Sequence, residues 1–277
     1  MYDAASLSDA PTLQRAVGEL RVDLRARDGR TVLEGLRQAG CLKARFPRPE
    51  HADWSSVVTL NTSGGIAGGD RLDSAFSVRT GARATIAAQA AERFYRSLPG
   101  GAPSQVRTRI VVADGAAVEW LPQETILFDC CALDRRLHVE LAADAWFLGV
   151  ESLVFGRAAM GESVELASLR DVIQVRRAGC LLWHDAIRLD GAVAATLQRP
   201  AIAGGARAVA TLVHVAPDAE CALDLVREAS PHCGVSAWDG MLVARVLAND
   251  GASLRKAVVA ALMVLRGGRP LPRVWNW

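Results

Sequence analysis

A chain of 277 residues with 51% hydrophobic and 22% charged residues has the material for a large globular core. Its formal charge of +2, without a Lys/Arg run or an aromatic-basic stripe, argues against nucleic acid as a partner. Lys43 and Lys256 are the only lysines among 32 basic residues, which reflects codon usage before function.

The opening stretch, "MYDAASLSDAPTLQRAVGEL", mixes acids into its first residues and lacks the apolar region of a signal peptide. Residues 1–17 are expected to be flexible and the protein cytoplasmic. From Gly18 to Pro200 the apolar residues fall in short period-two runs, among them "SAFSVRT", "RTRIVVA", "RLHVELA" and "VIQVRR", which predict a mainly β body over 18–200. Within it "GARATIAAQ" from Gly81, "GAAVEWLPQ" from Gly115 and "DAWFLGVES" from Asp144 repeat a turn, an alanine and a strand, and "GARAVATLV" from Gly205 does so again. The first three starts lie 34 and 29 residues apart. That spacing fits strands stacked in layers, as in a helical or solenoid β winding, and fits a β-sandwich equally.

Residues 201–277 predict a β-α-β-β-α part packed on the body, with no linker before it, so the whole of 1–277 is expected to be one domain. Its two α-helices are "DAECALDLVREAS" and "GASLRKAVVAALMVLRGG", with "GVSAW" and "GMLVARVLA" as strands between. In the second helix Ser253 is the expected cap, Leu254, Val258, Leu262 and Leu265 share a face, and Gly267, Gly268 and Pro270 stop it. The apolar run Ala257 to Leu265 falls short of the roughly 20 residues that span a bilayer, so no membrane partner is expected.

The segment "LNTSGGIAGGDRLD" places Gly64, Gly65, Gly68 and Gly69 before Asp70. It matches neither phosphate-loop pattern, and it ends on a carboxylate followed by a strand, so an anion would meet repulsion and no helix dipole. The glycines are expected to supply positive φ or close backbone approach. The densest polar segment, "EWLPQETILFDCCALDRRLHVEL", carries Glu119, Gln123, Glu124, Asp129, Asp134 and Glu140. Two converging carboxylates there could act as general acid and base, which keeps a carboxylate-dependent hydrolase on a β-solenoid as the alternative function. Histidines 51, 138, 184, 214 and 232 show no metal-ligand spacing, and the six cysteines no C-x-x-C. His184 beside Asp185, and Cys130 beside Cys131, are expected to be structural.

"LNTSGGIAGGDRL", "QAAERFYRS", "EWLPQETILFD...RR", "GR...GES" and "LPRVW", in this order from about Gly18 to the C-terminus, resemble the urease accessory protein UreD (UreH) family. Cys130 and Cys131 depart from the small residue, such as Gly, usual after "FD", and "LNT" replaces the His-Pro-Pro of some members. The resemblance implies a non-enzymatic chaperone that binds UreF and, through it, the GTPase UreG, and docks on apo-urease for nickel insertion. It implies a β-helical winding with two α-helices, and it favours that option over the sandwich. It further implies an internal tunnel with Asp70, Glu92, Glu151 and Asp185 as polar positions, carrying nickel(II) transiently with no tightly bound cofactor. Single carboxylates with water would suit a conduit, which must admit an ion and release it. The competing role for Glu151 is an ion pair with one of the arginines.

Overall fold

The computed structural model describes residues 14–48, 53–157 and 160–276. Of the expected flexible segment, residues 1–13 lie outside these, as does His51. The fold is mainly β, as the alternation predicts, with seventeen strands in two mixed sheets among the described residues.

The seven-stranded sheet holds, in spatial order, β14 (Cys180–Ala192), β13 (Leu166–Arg177), β11 (Cys131–Leu141), β8 (Ser104–Val112), β5 (Arg71–Val78), β1 (Val17–Arg27) and β2 (Arg30–Gly40). The other sheet runs β16 (Cys233–Trp238), β17 (Met241–Ala248), β15 (Ala208–Val215), β12 (Trp146–Phe155), β9 (Ala117–Leu121), β6 (Arg83–Ala88), β4 (Ser55–Asn61) and β3 (Leu42–Arg45). Two short strands, β7 (Glu92–Phe94) and β10 (Thr125–Leu127), pair with each other, and β10 also pairs with β12. From β4 to β13 the chain alternates between the sheets. Each return lands beside the previous strand and parallel to it: β5, β8, β11 and β13 on one side, and β4, β6, β9 and β12 on the other.

The sequence repeat maps onto one row of this arrangement. Arg83 pairs with Ala117 and Ala117 with Trp146, each two residues after its repeat start, so the three copies lie in register as β6, β9 and β12. The fourth copy, β15, continues the sheet but runs antiparallel to β12. Parallel strands covered on both faces read as continuous apolar runs. In β12, "WFLGVESLVF", Phe147 and Leu153 pack between the sheets, whereas Leu148 and Val150 pack outward against the C-terminal helices. The molecule thus has three layers, sheet, sheet and helices, with one apolar core in each gap.

The C-terminal order is β15, α2 (Leu223–Ala229), β16, β17 and α3 (Gly251–Leu265). Leu254, Val258, Leu262 and Leu265 are all buried, as the spacing predicts. The cap is corrected: Asp250 is the N-cap, its carboxylate accepting Ser253 N–H at 2.7 Å. An earlier, third helix, α1 (Val193–Gln198), adds to the two expected, with Val193 and Leu197 buried one turn apart.

Candidate functional site

The glycine loop is held from within. Gly64, Gly65 and Gly69 have φ of 81°, 144° and 88°, backbone that glycine adopts without a Cβ clash. A Cβ on Gly65 would stand 2.3 Å from the Tyr95 ring, and one on Gly68 2.5 Å from Ser97 Oγ. Asp70 is buried, and its two oxygens accept Ala67 N–H and Ala16 N–H, each at 2.8 Å. Its carboxylate ties the loop to the residue before β1. Asp70→Ala would orphan both N–H groups, and we expect a loss of about 2 kcal/mol. Urea unfolding of the full chain measures it; an unchanged midpoint would mean that water takes over both bonds.

The other three expected residues fall along one polar seam between the sheets. Parity alone puts two more residues there. In β11, Cys131, Leu133, Leu137, Val139 and Leu141 are buried on the inner face, so Arg135, of the same parity, must point inward too. In β13, Leu169, Ile173 and Val175 force Asp171 inward in the same way, and Arg135 and Asp171 are register partners. Glu151 faces them from β12. The guanidinium of Arg135 donates from Nε and Nη2 to Asp171 at 2.8 and 2.6 Å, and its Nη1 reaches Glu151 at 2.7 Å and Thr125 Oγ1 at 2.8 Å. Trp120 Nε1 donates to the other Glu151 oxygen at 2.8 Å. Burial pushes the Glu151 carboxyl up, Arg135 opposes this, and the second carboxylate, Asp171, adds to the rise. Against the cost of burial, Asp171 and Glu151 hold the Arg135 guanidinium more firmly protonated than usual.

Two spaces adjoin this cluster, sharing Glu151 in their walls. A cavity of about 240 Å³ lies under the glycine loop, lined by Asn61, Gly65, Glu92, Thr125, Arg135 and Glu151 among others. Glu92 accepts Asn61 Nδ2–H at 3.2 Å, and burial pushes its carboxyl up to about 7. On the far side a void of about 10 Å³, near the size of one water, is lined by Glu151, Asp171, Asp185 and Thr211. Asp185, on β14, forms an ion pair with Arg245 of β17 and so bridges the two sheets. Among the described residues no three His, Cys, Asp or Glu side chains gather as a metal-holding group, so the carboxylates lie singly or in Arg-bridged pairs.

Comparison with known proteins places the whole assembly. The UreD urease accessory protein family matches residues 16–276. The chain belongs to the UreD family. It is 49% identical over 271 residues to the urease accessory protein UreD of Dinoroseobacter shibae (strain DSM 16493 / NCIMB 14021 / DFL 12), covering 96% of this chain and 94% of that protein. It is 44% identical to the UreD of Azorhizobium caulinodans (strain ATCC 43989 / DSM 5975 / JCM 20966 / LMG 6465 / NBRC 14845 / NCIMB 13405 / ORS 571), covering 97% and 99%. It is 47% identical to that of Methylobacterium sp. (strain 4-46), covering 96% of each.

As a UreD accessory protein the chain is not an enzyme. The hydrolase alternative is corrected accordingly, and the geometry agrees with its removal. Glu119, fully buried, accepts Arg266 Nε at 2.9 Å, Arg269 Nη2 at 2.6 Å and Thr85 Oγ1 at 2.6 Å, while Glu124 pairs with Arg255 at 2.8 Å. Both carboxylates are occupied in holding the C-terminal segment.

The segments that carry the UreD resemblance touch one another. Tyr95 of "QAAERFYRS" donates to Gly64 O at 2.8 Å. Asp129 of "ILFD" accepts the N–H groups of Glu165 and Leu166 at 2.9 and 3.0 Å, just past "GES", and the Arg157 guanidinium stands 4.1 Å above the Phe128 ring. Trp275 of "LPRVW" donates to Leu121 O at 3.0 Å, and Gln123 Nε2 to Val274 O at 2.6 Å. Cys130 has φ of 60°, the left-handed backbone that glycine takes without strain. Burial pushes the Cys131 thiol up to about 12, and the Asp129 hydrogen bond raises that of Cys130, so neither is a thiolate at neutral pH. His214 is a core residue, its Nδ1 3.1 Å from Phe147 O and its ring packed edge-on against Trp146. No helix among the described residues is long and apolar enough to cross a membrane.

Proposed function

We propose that this chain is a cytoplasmic scaffold for urease maturation that binds UreF and, through it, UreG, docks on apo-urease, and passes nickel(II) along the inter-sheet seam. Membership of the UreD family supports the maturation role. The parallel returns from β4 to β13 support describing the body as a β-helical winding, which leaves room for a passage between its two sheets. The observation that carries the passage is the sharing of Glu151 by the two internal spaces, with Glu92 on one side and Asp185 on the other. Oxygen donors set one after another bind a borderline cation weakly enough to hand it on. Asp70, bonded to its own loop, is left out of this path.

Glu151→Leu tests the passage. Removing Glu151 leaves Arg135 paired one to one with Asp171, so the cluster goes from one net negative charge to none and we expect the fold to be retained. We expect the variant to assemble with UreF, UreG and apo-urease while nickel per urease falls about tenfold or more, with Glu151→Gln less affected. Wild-type nickel content in an assembled Glu151→Leu complex would remove the seam from the path.

A further inference from the structure

The Arg135 guanidinium stands at Glu151, in the wall that the two spaces share. It binds both carboxylates that line the small void, and it also lines the larger cavity. A cation leaving the cavity for the void would have to take its place between Glu151 and Asp171. Two positive charges cannot share that position, so Arg135 must leave when the cation enters.

The cavity side offers a place to go. Thr125, which already holds Arg135 Nη1, is the register partner of Glu92 on the neighbouring strand β7. Register partners on adjacent strands point to the same face about 5 Å apart. A rotation of the long Arg135 side chain past Thr125 therefore brings its guanidinium to Glu92. Glu92 has the Asn61 amide as its side-chain hydrogen-bond donor, and its raised carboxyl reports burial that a guanidinium would relieve.

We propose that Arg135 is a two-position gate, closed when it bridges Glu151 and Asp171 and open when it swings across Thr125 to Glu92, freeing the carboxylate pair for a divalent cation. This rests on the passage proposed above. It revises the part given to Glu92 above: Glu92 lines the passage but receives the displaced arginine, and the cation is held by Glu151, Asp171 and Asp185. The gate would keep the seam shut to ions until the chain is docked, since an open seam exposes a buried negative pair.

The test is a double-mutant cycle read as nickel atoms per urease by metal analysis, in co-expressed complexes whose assembly is checked by co-purification. With Arg135 present, Glu92→Gln removes the landing site, and loading should fall about fivefold or more. In an Arg135→Met background there is nothing to receive, and adding Glu92→Gln should change loading within about twofold. Equal losses in both backgrounds would overturn the gate and leave Glu92 as a plain cargo ligand, with the passage intact. No loss from Glu92→Gln with Arg135 present would also overturn the gate. Failure of the passage itself would appear separately, as wild-type loading by Glu151→Leu. Should Arg135→Met not yield assembled complex, Arg135→Met/Asp171→Asn removes one charge of each sign and serves for the same comparison.

Discussion

Replacing Glu119 by Gln should cost about 3 to 5 kcal/mol of stability, because it leaves the buried Arg266 without its counter-charge and takes one from the partly buried Arg269. Glu119 is fully buried and accepts four hydrogen bonds, from Thr85, Arg269 and both Nε and Nη2 of Arg266. Gln can accept at one oxygen only, and its amide group meets N–H donors where the second oxygen stood. Arg266 would keep the Arg269 and Pro270 carbonyls, and Arg269 its place over the Trp54 ring at 4.2 Å. These contacts bind a cation without neutralising it. Thermal melts should show a fall on the order of 10 °C, and Arg266→Met added to Glu119→Gln should recover part of it by removing the stranded charge. A loss under about 1 kcal/mol would mean that the carbonyls and indole rings suffice.

The second large effect runs in the opposite direction. Burial pushes the Glu92 carboxyl from an unfolded value near 4.5 up to about 7. A carboxyl raised on folding binds more protons in the native state between those values, so stability falls as pH rises from about 4.5 through 7 and stays lowered above it. The Asn61 amide and the Arg93 N–H, which donate to it, and the Arg93 charge offset burial only in part. Glu92→Gln removes the ionisation and keeps the shape. Above pH 7 we expect the variant to be more stable than the native chain by up to about 3 kcal/mol, and near pH 4.5 to match it. Urea unfolding across pH 4.5 to 8.5 measures the difference. A flat difference would place Glu92 in contact with bulk water. A gain in stability together with a loss of nickel loading would mark Glu92 as a residue kept for function at a cost to the fold.

Much of the architecture was legible in the chain because its repeat is physical. The turn-alanine-strand pattern at Gly81, Gly115 and Asp144 marks three parallel strands that lie in register, since each copy must bury the same inner residues. The face of α3 was equally plain from Leu254, Val258, Leu262 and Leu265. Its cap was misplaced because Asp250 and Ser253 are both good capping residues, and spacing does not say which leaves the helix first. The seam was half legible: strand parity in "CALDRRLHVEL" and "LASLRDVIQV" turns Arg135 and Asp171 inward, a signal passed over in favour of lone carboxylates. Pattern alone leaves Asp70 open, because a Gly-rich loop ending in Asp fits both a wet passage and a carboxylate bonded to its own turn. The pairings Asp185 with Arg245 and Glu119 with Arg266, 60 and 147 residues apart, carry no local pattern at all.

The segment Leu271 to Trp275 is the last described stretch to leave the ribosome, and it docks on Leu121 to Gln123, made some 150 residues earlier. At about 5–20 residues per second, that interval is on the order of ten to thirty seconds. Throughout it the growing chain carries Glu119 without Arg266 or Arg269, and the indole site of Trp275 stands open. The nascent body can stack its strands in order, but Glu119 stays without its counter-charges until residues 266–269 have been made. Any partner that reads the finished wall around Leu121 to Glu124 would therefore engage chains in which residues 271–275 have already docked and pass over shorter ones.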